Sequence, residues 1–121
     1  MMITLRRVAG AALAALAVAC SSPSPAERAA TAELAHLTPL KQSYPDVVMG
    51  FDVRDPNSLT VSLDLQHFDE MDDDVAAAME RTVVARWRTA WTAEHPNERA
   101  LLHVRFIDFV GRTVAQQSVR I

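Results

Sequence analysis

The stretch VVMGFDVRDPNSLTVSLDL (residues 47–65) decides the fold, because apolar and polar residues alternate on both sides of a turn sequence. A period of two is typical of strands that have one buried and one solvent-facing side. Between them, Asp55-Pro56-Asn57-Ser58 has a favoured acid first and proline second, which predicts a tight turn. The stretch therefore predicts an antiparallel hairpin. Its apolar positions are Val47, Met49, Phe51 and Val53 before the turn, and Leu59, Val61, Leu63 and Leu65 after it.

C-terminal to this hairpin, the apolar period changes to about four. This period predicts a helix that begins within residues 69–74 and reaches about Glu94, with Pro96 just past its end. A second pair of strands is expected at about 101–108 and 112–121, joined by a turn with Gly111 in the left-handed position. The helical stripe consists of Val75, Met79, Val83, Trp87 and Trp91, widened by Ala76 and Ala90.

The predicted fold class is α+β, with the element order α-β-β-α-β-β. Placing strand three beside strand one makes all neighbours antiparallel and predicts the spatial order 2-1-3-4, with the long helix on one face. The strands at 59–67 and 113–121 would then be edges that accept a partner strand. Because the core is small for about 80 residues, a dimer, a partner or a membrane surface is expected to complete it.

The segment 25–43 precedes the α+β domain, which we place at 44–121. Ser24 and Glu27 have the spacing of a capping box, with Pro25 at the first helical position. An alanine-rich helix is therefore expected from Pro25 to about Leu37, ended by Pro39. A partly ordered stalk is the alternative, because the apolar stripe of this helix is thin. It consists of Ala26, Ala30, Leu34 and Leu37.

Residues 1–19 have the pattern of a secretory signal peptide. Arg6 and Arg7 form a short basic region, and an uncharged stretch of Val, Ala, Leu and Gly covers residues 8–19. A bilayer-spanning helix needs about 20 apolar residues, so these twelve are too few to span. The pattern predicts a segment that is removed from the mature chain.

Leu16-Ala17-Val18-Ala19-Cys20 resembles the lipobox of bacterial lipoprotein precursors, although leucine usually stands where this chain has Ala17. The resemblance implies cleavage after Ala19, acylation of Cys20 and a tether at residues 20–24. It also implies a lipid-anchored, periplasm-facing protein, and Ser21 favours the outer membrane if the cell is Gram-negative. The alternative is a plain secreted protein that is cut after Ala19 and keeps Cys20 as a free thiol.

Composition excludes several classes of protein. A single cysteine in 121 residues rules out an internal disulfide and a cysteine-based zinc cluster. The net charge is −3, and without Arg6 and Arg7 the chain has 10 basic against 15 acidic side chains, a formal charge of −5. Such a balance argues against a nucleic-acid partner. No cofactor is expected.

The side chains that could bind a metal, act in catalysis or stack on a sugar do not form a recognisable motif. The acids at 64, 69, 70 and 72–74 are nearly consecutive and lack the central glycine of a calcium loop, so we interpret them as charges at a helix N-terminus. None of the four histidines (His36, His67, His95, His103) pairs at i,i+4, so no metal site is expected. Trp87 and Trp91 lie on the helical stripe. This position favours a role in the core over a role as aromatics that stack on a sugar.

These observations favour a small binding or assembly module in the cell envelope over an enzyme. Its membrane contact would be the acyl chains on Cys20, and its partner an envelope protein or a second copy. The alternative is a small, hydrolase-like envelope enzyme that uses His67 or His103 with nearby carboxylates. A structural lipoprotein without a ligand is a third hypothesis.

Overall fold

The computed structural model describes residues 22–121. The signal peptide at 1–19, cleavage after Ala19 and lipid attachment at Cys20 lie outside these residues and stay predictions. Within the described range the fold class is α+β, as predicted. The elements in chain order are α1 (Pro25–Leu37), α2 (Pro39–Ser43), β1 (Val48–Asp55), β2 (Ser58–Leu63), α3 (Leu65–Asp69), α4 (Asp73–Glu94), β3 (Leu101–Ile107) and β4 (Thr113–Arg120).

The sheet is mixed and has the strand order β1-β2-β3-β4. Strands β1 and β2 are antiparallel, as are β3 and β4, whereas β2 and β3 are parallel. The predicted order 2-1-3-4 with all-antiparallel neighbours is therefore wrong. The 22-residue helix α4 returns the chain to the end of the sheet where β2 began. Strand β3 therefore starts beside β2 and runs parallel to it.

The new order also changes the edges of the sheet. The prediction that residues 59–67 form an edge is wrong, because β2 lies between β1 and β3 and ends at Leu63. The chain then enters α3, since the Asp64 carboxylate accepts a hydrogen bond from the His67 backbone N–H at 3.0 Å and caps the helix. The other predicted edge, at 113–121, is confirmed as β4.

Both predicted turns are confirmed, and each is held by an aspartate. In the first turn, Asp55 Oδ1 accepts a hydrogen bond from the Asn57 backbone N–H at 3.0 Å. In the second turn, the buried Asp108 carboxylate accepts hydrogen bonds from the backbone N–H groups of Val110 and Arg112 and from Arg112 Nε. Gly111 has a φ of 87°, the left-handed conformation that the sequence predicts.

Helices α1 and α4 pack against each other over one face of the sheet, and α1 also contacts β1. Leu37 of α1 and Leu40 of α2 are buried in the same apolar cluster as the sheet and α4, so residues 25–43 pack on the rest of the described chain. Burying such a side chain contributes about 1.5–3 kcal/mol. The other members of the cluster are Val47, Val48, Leu59, Val61, Leu63, Met79, Val83, Trp87, Ala90, Trp91, Leu102, Val104 and Phe106.

Within residues 22–121, no helix combines the length and the hydrophobicity that a bilayer-spanning segment needs.

Candidate functional sites

The two tryptophans singled out by the sequence lie in the core. Trp87 and Trp91 are almost fully buried, so neither ring presents a face on which a sugar could stack. Trp91 Nε1 donates a hydrogen bond to the backbone carbonyl of Pro56 at 3.0 Å. This bond joins the C-terminal end of α4 to the β1–β2 turn.

His67 contacts a carboxylate, as the enzyme hypothesis requires. Its Nδ1 lies 3.1 Å from Asp64 Oδ1, and both side chains are partly exposed. The backbone N–H of His67 lowers the pKa of Asp64, and the hydrogen bond to Asp64 raises the pKa of His67. The pair is within reach of proton transfer. Its evident structural role is to cap α3.

His103 lies on the uncovered face of the sheet, opposite Ser118 on β4. Its Nδ1 is 2.9 Å from Ser118 Oγ. Among the described residues, no carboxylate forms a hydrogen bond or ion pair with His103. The arrangement therefore lacks the third group that orients the histidine in a nucleophilic triad.

Only part of the acidic cluster lies at the start of α4, because Asp64 caps α3, and Asp69 and Glu70 lie at the C-terminal end of α3, where the prediction of a helix N-terminus is wrong. Asp72 is the N-cap residue, Asp73 and Asp74 are in the first turn, and Asp74 Oδ1 accepts a hydrogen bond from the Val75 backbone N–H at 3.1 Å. Negative charge at a helix N-terminus opposes the positive end of the dipole. In the part of the chain that the structure describes, no group of three or more potential ligands is arranged to hold a metal ion.

A second carboxylate–histidine pair, which the sequence analysis missed, lies between α1 and α4. Glu33 is only 1% exposed, and its Oε1 is 3.7 Å from His95 Nδ1, beyond hydrogen-bond range. Glu33 Oε2 is buried, and none of the residues 22–121 forms a hydrogen bond with it. The His95 ring stacks on Trp91 at 4.3 Å, and its Nδ1 lies 3.0 Å from the Trp91 carbonyl oxygen. Nδ1 must donate this bond, because a carbonyl only accepts.

Burial raises the pKa of Glu33 to about 7. The positive charge of a protonated His95 lowers this pKa, and the negative charge of Glu94 raises it further. A carboxyl group with this pKa gains and loses its proton near neutral pH. One sequence signal was available: Glu33 lies three residues after Ala30 and four before Leu37, on the face that the apolar stripe predicts to be buried.

A surface cavity of about 330 Å³ lies beside Glu33, between α1, the β1–β2 turn and the end of α4. Its apolar wall is formed by Ala26, Ala29, Ala30, Val53 and Pro56, and its polar wall by Glu27, Glu33, Arg54, Asp55 and His95. An apolar cavity with a few convergent polar groups and a perturbed carboxyl group has the composition of a small-molecule site.

The sheet face opposite the helices forms a second candidate site, the open face. Asp52, Thr60, Arg105 and Gln116 lie in one row across its four strands. Asp52 forms an ion pair with Arg54 at 2.8 Å, whereas no ion-pair partner of Arg105 occurs among residues 22–121. A shallow groove of about 560 Å³ passes along Ser58, Thr60, His103 and Arg105.

The other end of the open face is apolar. Phe109 is 89% exposed and Val110 is 74% exposed in the β3–β4 turn, which we call the apolar tip. Beside it, Met49 is also exposed, so its predicted place in the buried row is wrong, because the register of β1 shifts between Val48 and Gly50. Together with Ile107, these residues line a depression of about 560 Å³. Two large apolar side chains so fully exposed next to an apolar depression are typical of a contact surface.

Comparisons of the chain with protein-family models, with curated proteins and with solved structures found no match.

Proposed function

We propose that this chain is a lipid-anchored binding module of the bacterial cell envelope that contacts a protein partner through the open face of its sheet. The observation that supports this proposal is the asymmetry of the sheet. One face is covered by α1 and α4, whereas the other is uncovered and ends in the exposed side chains of Phe109 and Val110.

The apolar tip is suited to anchor a protein interface. Aromatic side chains that fill a pocket on a partner carry a large share of binding energy in many interfaces. Burying Phe109 would contribute about 1.5–3 kcal/mol, and a polar rim is available from the exposed side chains of Arg105 and Gln116. The edge strands β1 and β4 border this face and offer unpaired backbone groups to a partner strand.

Lipid anchorage rests on the lipobox resemblance at Cys20. Acylation by two or three chains gives stable membrane attachment, whereas one chain is marginal. Four residues, 21–24, would then separate the anchor from α1 and reach at most about 14 Å when extended.

The position of α1 directs the apolar tip away from such an anchor. The start of α1 and the β1–β2 turn share one cavity wall, at Ala26 and Pro56. The parallel register pairs Ser58 with His103 and Ser62 with Ile107, so β3 ends at the opposite end of the sheet. The apolar tip that follows Ile107 therefore lies at the opposite end of the sheet from the start of α1, where an anchored chain would leave it open to a periplasmic partner.

Site-specific photo-crosslinking in cells tests the partner surface. A crosslinker at position 109 is expected to capture a discrete protein, and Val110→Ser is expected to reduce that adduct at least about fivefold. Position 75 is the matched control, because Val75 is an apolar side chain that is 48% exposed on α4, away from the open face. Equal capture from both positions, or none from 109, would contradict the proposal.

Acyl labelling tests the anchor separately. The full-length chain is expected to incorporate a palmitate analogue and to sediment with membranes, and Cys20→Ser is expected to lose both properties. A Cys20→Ser chain that still takes up the label would refute lipid attachment at this residue.

The second candidate function is a small, hydrolase-like envelope enzyme. The 3.1 Å contact between His67 Nδ1 and Asp64 Oδ1 supports it, because it is within reach of general-base catalysis. Ester-hydrolysis assays that compare the wild-type chain with His67→Gln and Asp64→Asn would test this function. Activity that survives in both variants would rule out these residues as the catalytic groups.

A further inference from the structure

The cavity beside Glu33 has features of a ligand site that is independent of the open face. We propose that it binds a small organic amine, whose ammonium group pairs with the Glu33 carboxylate and whose short hydrocarbon chain lies against the apolar wall. The proposal rests on the unpartnered carboxyl group, the polar groups around it and the shape of the wall.

The Glu33 carboxyl group has unused hydrogen-bonding capacity in an almost fully buried position. No group in the described part of the chain forms a hydrogen bond with Oε2, and His95 Nδ1 is 3.7 Å from Oε1. Buried polar atoms in native proteins are nearly always paired, and each exception calls for an explanation such as an absent ligand. A ligand donor placed in the cavity would supply the missing partner.

The polar wall of the cavity offers acceptors and few donors. Glu27 and Asp55 add two more carboxylates to that of Glu33. The Arg54 guanidinium is held by Asp52 at 2.8 Å, and His95 Nδ1 donates to the carbonyl of Trp91. Such a wall favours a ligand that is positively charged and donates hydrogen bonds, and it disfavours an anion.

The apolar wall limits the ligand to a small chain. Ala26, Ala29 and Ala30 carry only a methyl group each, so they leave open space where α1 passes the β1–β2 turn. Val53 and Pro56 close the opposite side. A volume of about 330 Å³ lies at the lower end of the range for small-molecule sites.

The proposal predicts a distinctive pH dependence of binding. The charged and titratable groups around Glu33 are Glu27 on α1, Arg54 and Asp55 on β1, and Glu94 and His95 at the end of α4. Only ionised Glu33 attracts an ammonium ion, and burial raises the pKa of Glu33 in the empty site to about 7. Alkylammonium ions stay protonated between pH 6 and pH 8, so their affinity is expected to rise about tenfold across this interval.

Calorimetric titration of the full-length chain in detergent micelles tests the proposal, with butylammonium, butanol and butyrate as probes. Butylammonium is expected to bind saturably at pH 8 at least about tenfold more tightly than butanol or butyrate. Glu33→Gln is expected to weaken its binding at least about tenfold. Glu70→Gln is the control, because Glu70 is an exposed carboxylate that does not line the cavity, and it should change binding less than about threefold.

Three results would overturn the proposal: no saturable binding of butylammonium at pH 8, equal binding by Glu33→Gln, or tighter binding of butyrate. If Glu33→Gln does not fold, the wild-type chain decides the matter alone. An affinity for butylammonium that is the same at pH 6 and pH 8 would then show that Glu33 is not the binding group.

Discussion

Two carboxylate–histidine pairs in this molecule have the same chemistry and opposite surroundings. Asp64 and His67 lie on the surface, with Oδ1 and Nδ1 3.1 Å apart, and the pKa of Asp64 is lowered. Glu33 and His95 lie between two helices, with Oε1 and Nδ1 3.7 Å apart, and burial raises the pKa of Glu33 to about 7. The residue types alone therefore do not set the protonation state.

The difference comes from backbone donors and solvent. Asp64 accepts the His67 backbone N–H, which stabilises its anion. Among residues 22–121 no backbone N–H donates a hydrogen bond to Glu33, and the neighbouring His95 uses Nδ1 to bond the Trp91 carbonyl. The surface pair thus caps α3. In the buried pair, the pKa of Glu33 lies close to neutral pH, so this carboxyl group gains or loses its proton there. Four predictions test this contrast.

The largest effect is expected for Glu33→Gln, measured by urea unfolding at pH 5 and pH 8. The folded pKa of Glu33, about 7, is above its unfolded value of 4.5, so its stabilising contribution is lost as pH rises through the folded value. The wild-type chain is expected to lose about 2–3 kcal/mol more than Glu33→Gln between the two pH values. Glu27→Gln should retain the full wild-type loss, and an equal loss in all three proteins would disprove the assignment.

Trp91→Phe is expected to have the next largest effect. It removes the hydrogen bond from Nε1 to the Pro56 carbonyl and is expected to lower the free energy of unfolding by about 1–2 kcal/mol. Trp87→Phe is the matched control, because Trp87 Nε1 is buried and has no hydrogen-bond partner within the described range. Urea unfolding at pH 5 keeps Glu33 largely protonated. A greater loss for Trp87→Phe would contradict the role given to this bond.

Asp64→Ala is expected to have a smaller effect, because it affects a short helix on the surface. Removal of the α3 cap should lower Tm by roughly 2–5 °C at pH 7. Asp64→Asn keeps an oxygen that accepts the His67 backbone N–H, so thermal unfolding should place it between Asp64→Ala and the wild type. Identical values of Tm for both variants would show that the cap contributes nothing.

The smallest effect is expected for His67→Gln, and it should depend on pH. The pKa of Asp64 is lowered from 3.8 and that of His67 is raised from 6.5, so both groups are charged and stabilising between about pH 4 and 6.5. This contribution is lost as pH falls through the Asp64 pKa or rises through the His67 pKa. Thermal unfolding should show a loss of about 1–2 °C at pH 5 and none at pH 9, and 0.5 M salt should reduce it. A loss that is independent of pH would indicate a packing effect instead.

The elements with local signals were predictable from the sequence. The hairpin around Asp55-Pro56, the turn at Gly111 and the helix that ends at Glu94 all appear where the periodicity and turn residues place them. Each depends on residues within a few positions of one another. Leu65 was misassigned to a strand for a related reason, because it continues the period of two although the Asp64 cap begins a helix there.

The candidate sites were much less predictable. Glu33 is an ordinary helix former in an alanine-rich segment, and its sequence position gives no sign that Trp91 and His95, some 60 residues later, will enclose it. The open face depends on which strand lies beside which, and the prediction placed β3 next to β1. Both sites join segments that are distant in the chain, and single-sequence patterns carry little information about such pairs.

The sequence by itself determined the positions of the long helix and the two hairpins, because periodicity and turn chemistry act over a few residues. Only the tertiary structure decided the parallel pairing of β2 with β3, because α4 must pack on the sheet before β3 can start beside β2. The same packing seals Glu33 between α1 and α4, and the loss of water there raises its pKa. The chemistry of that carboxyl group is therefore a property of the assembled fold.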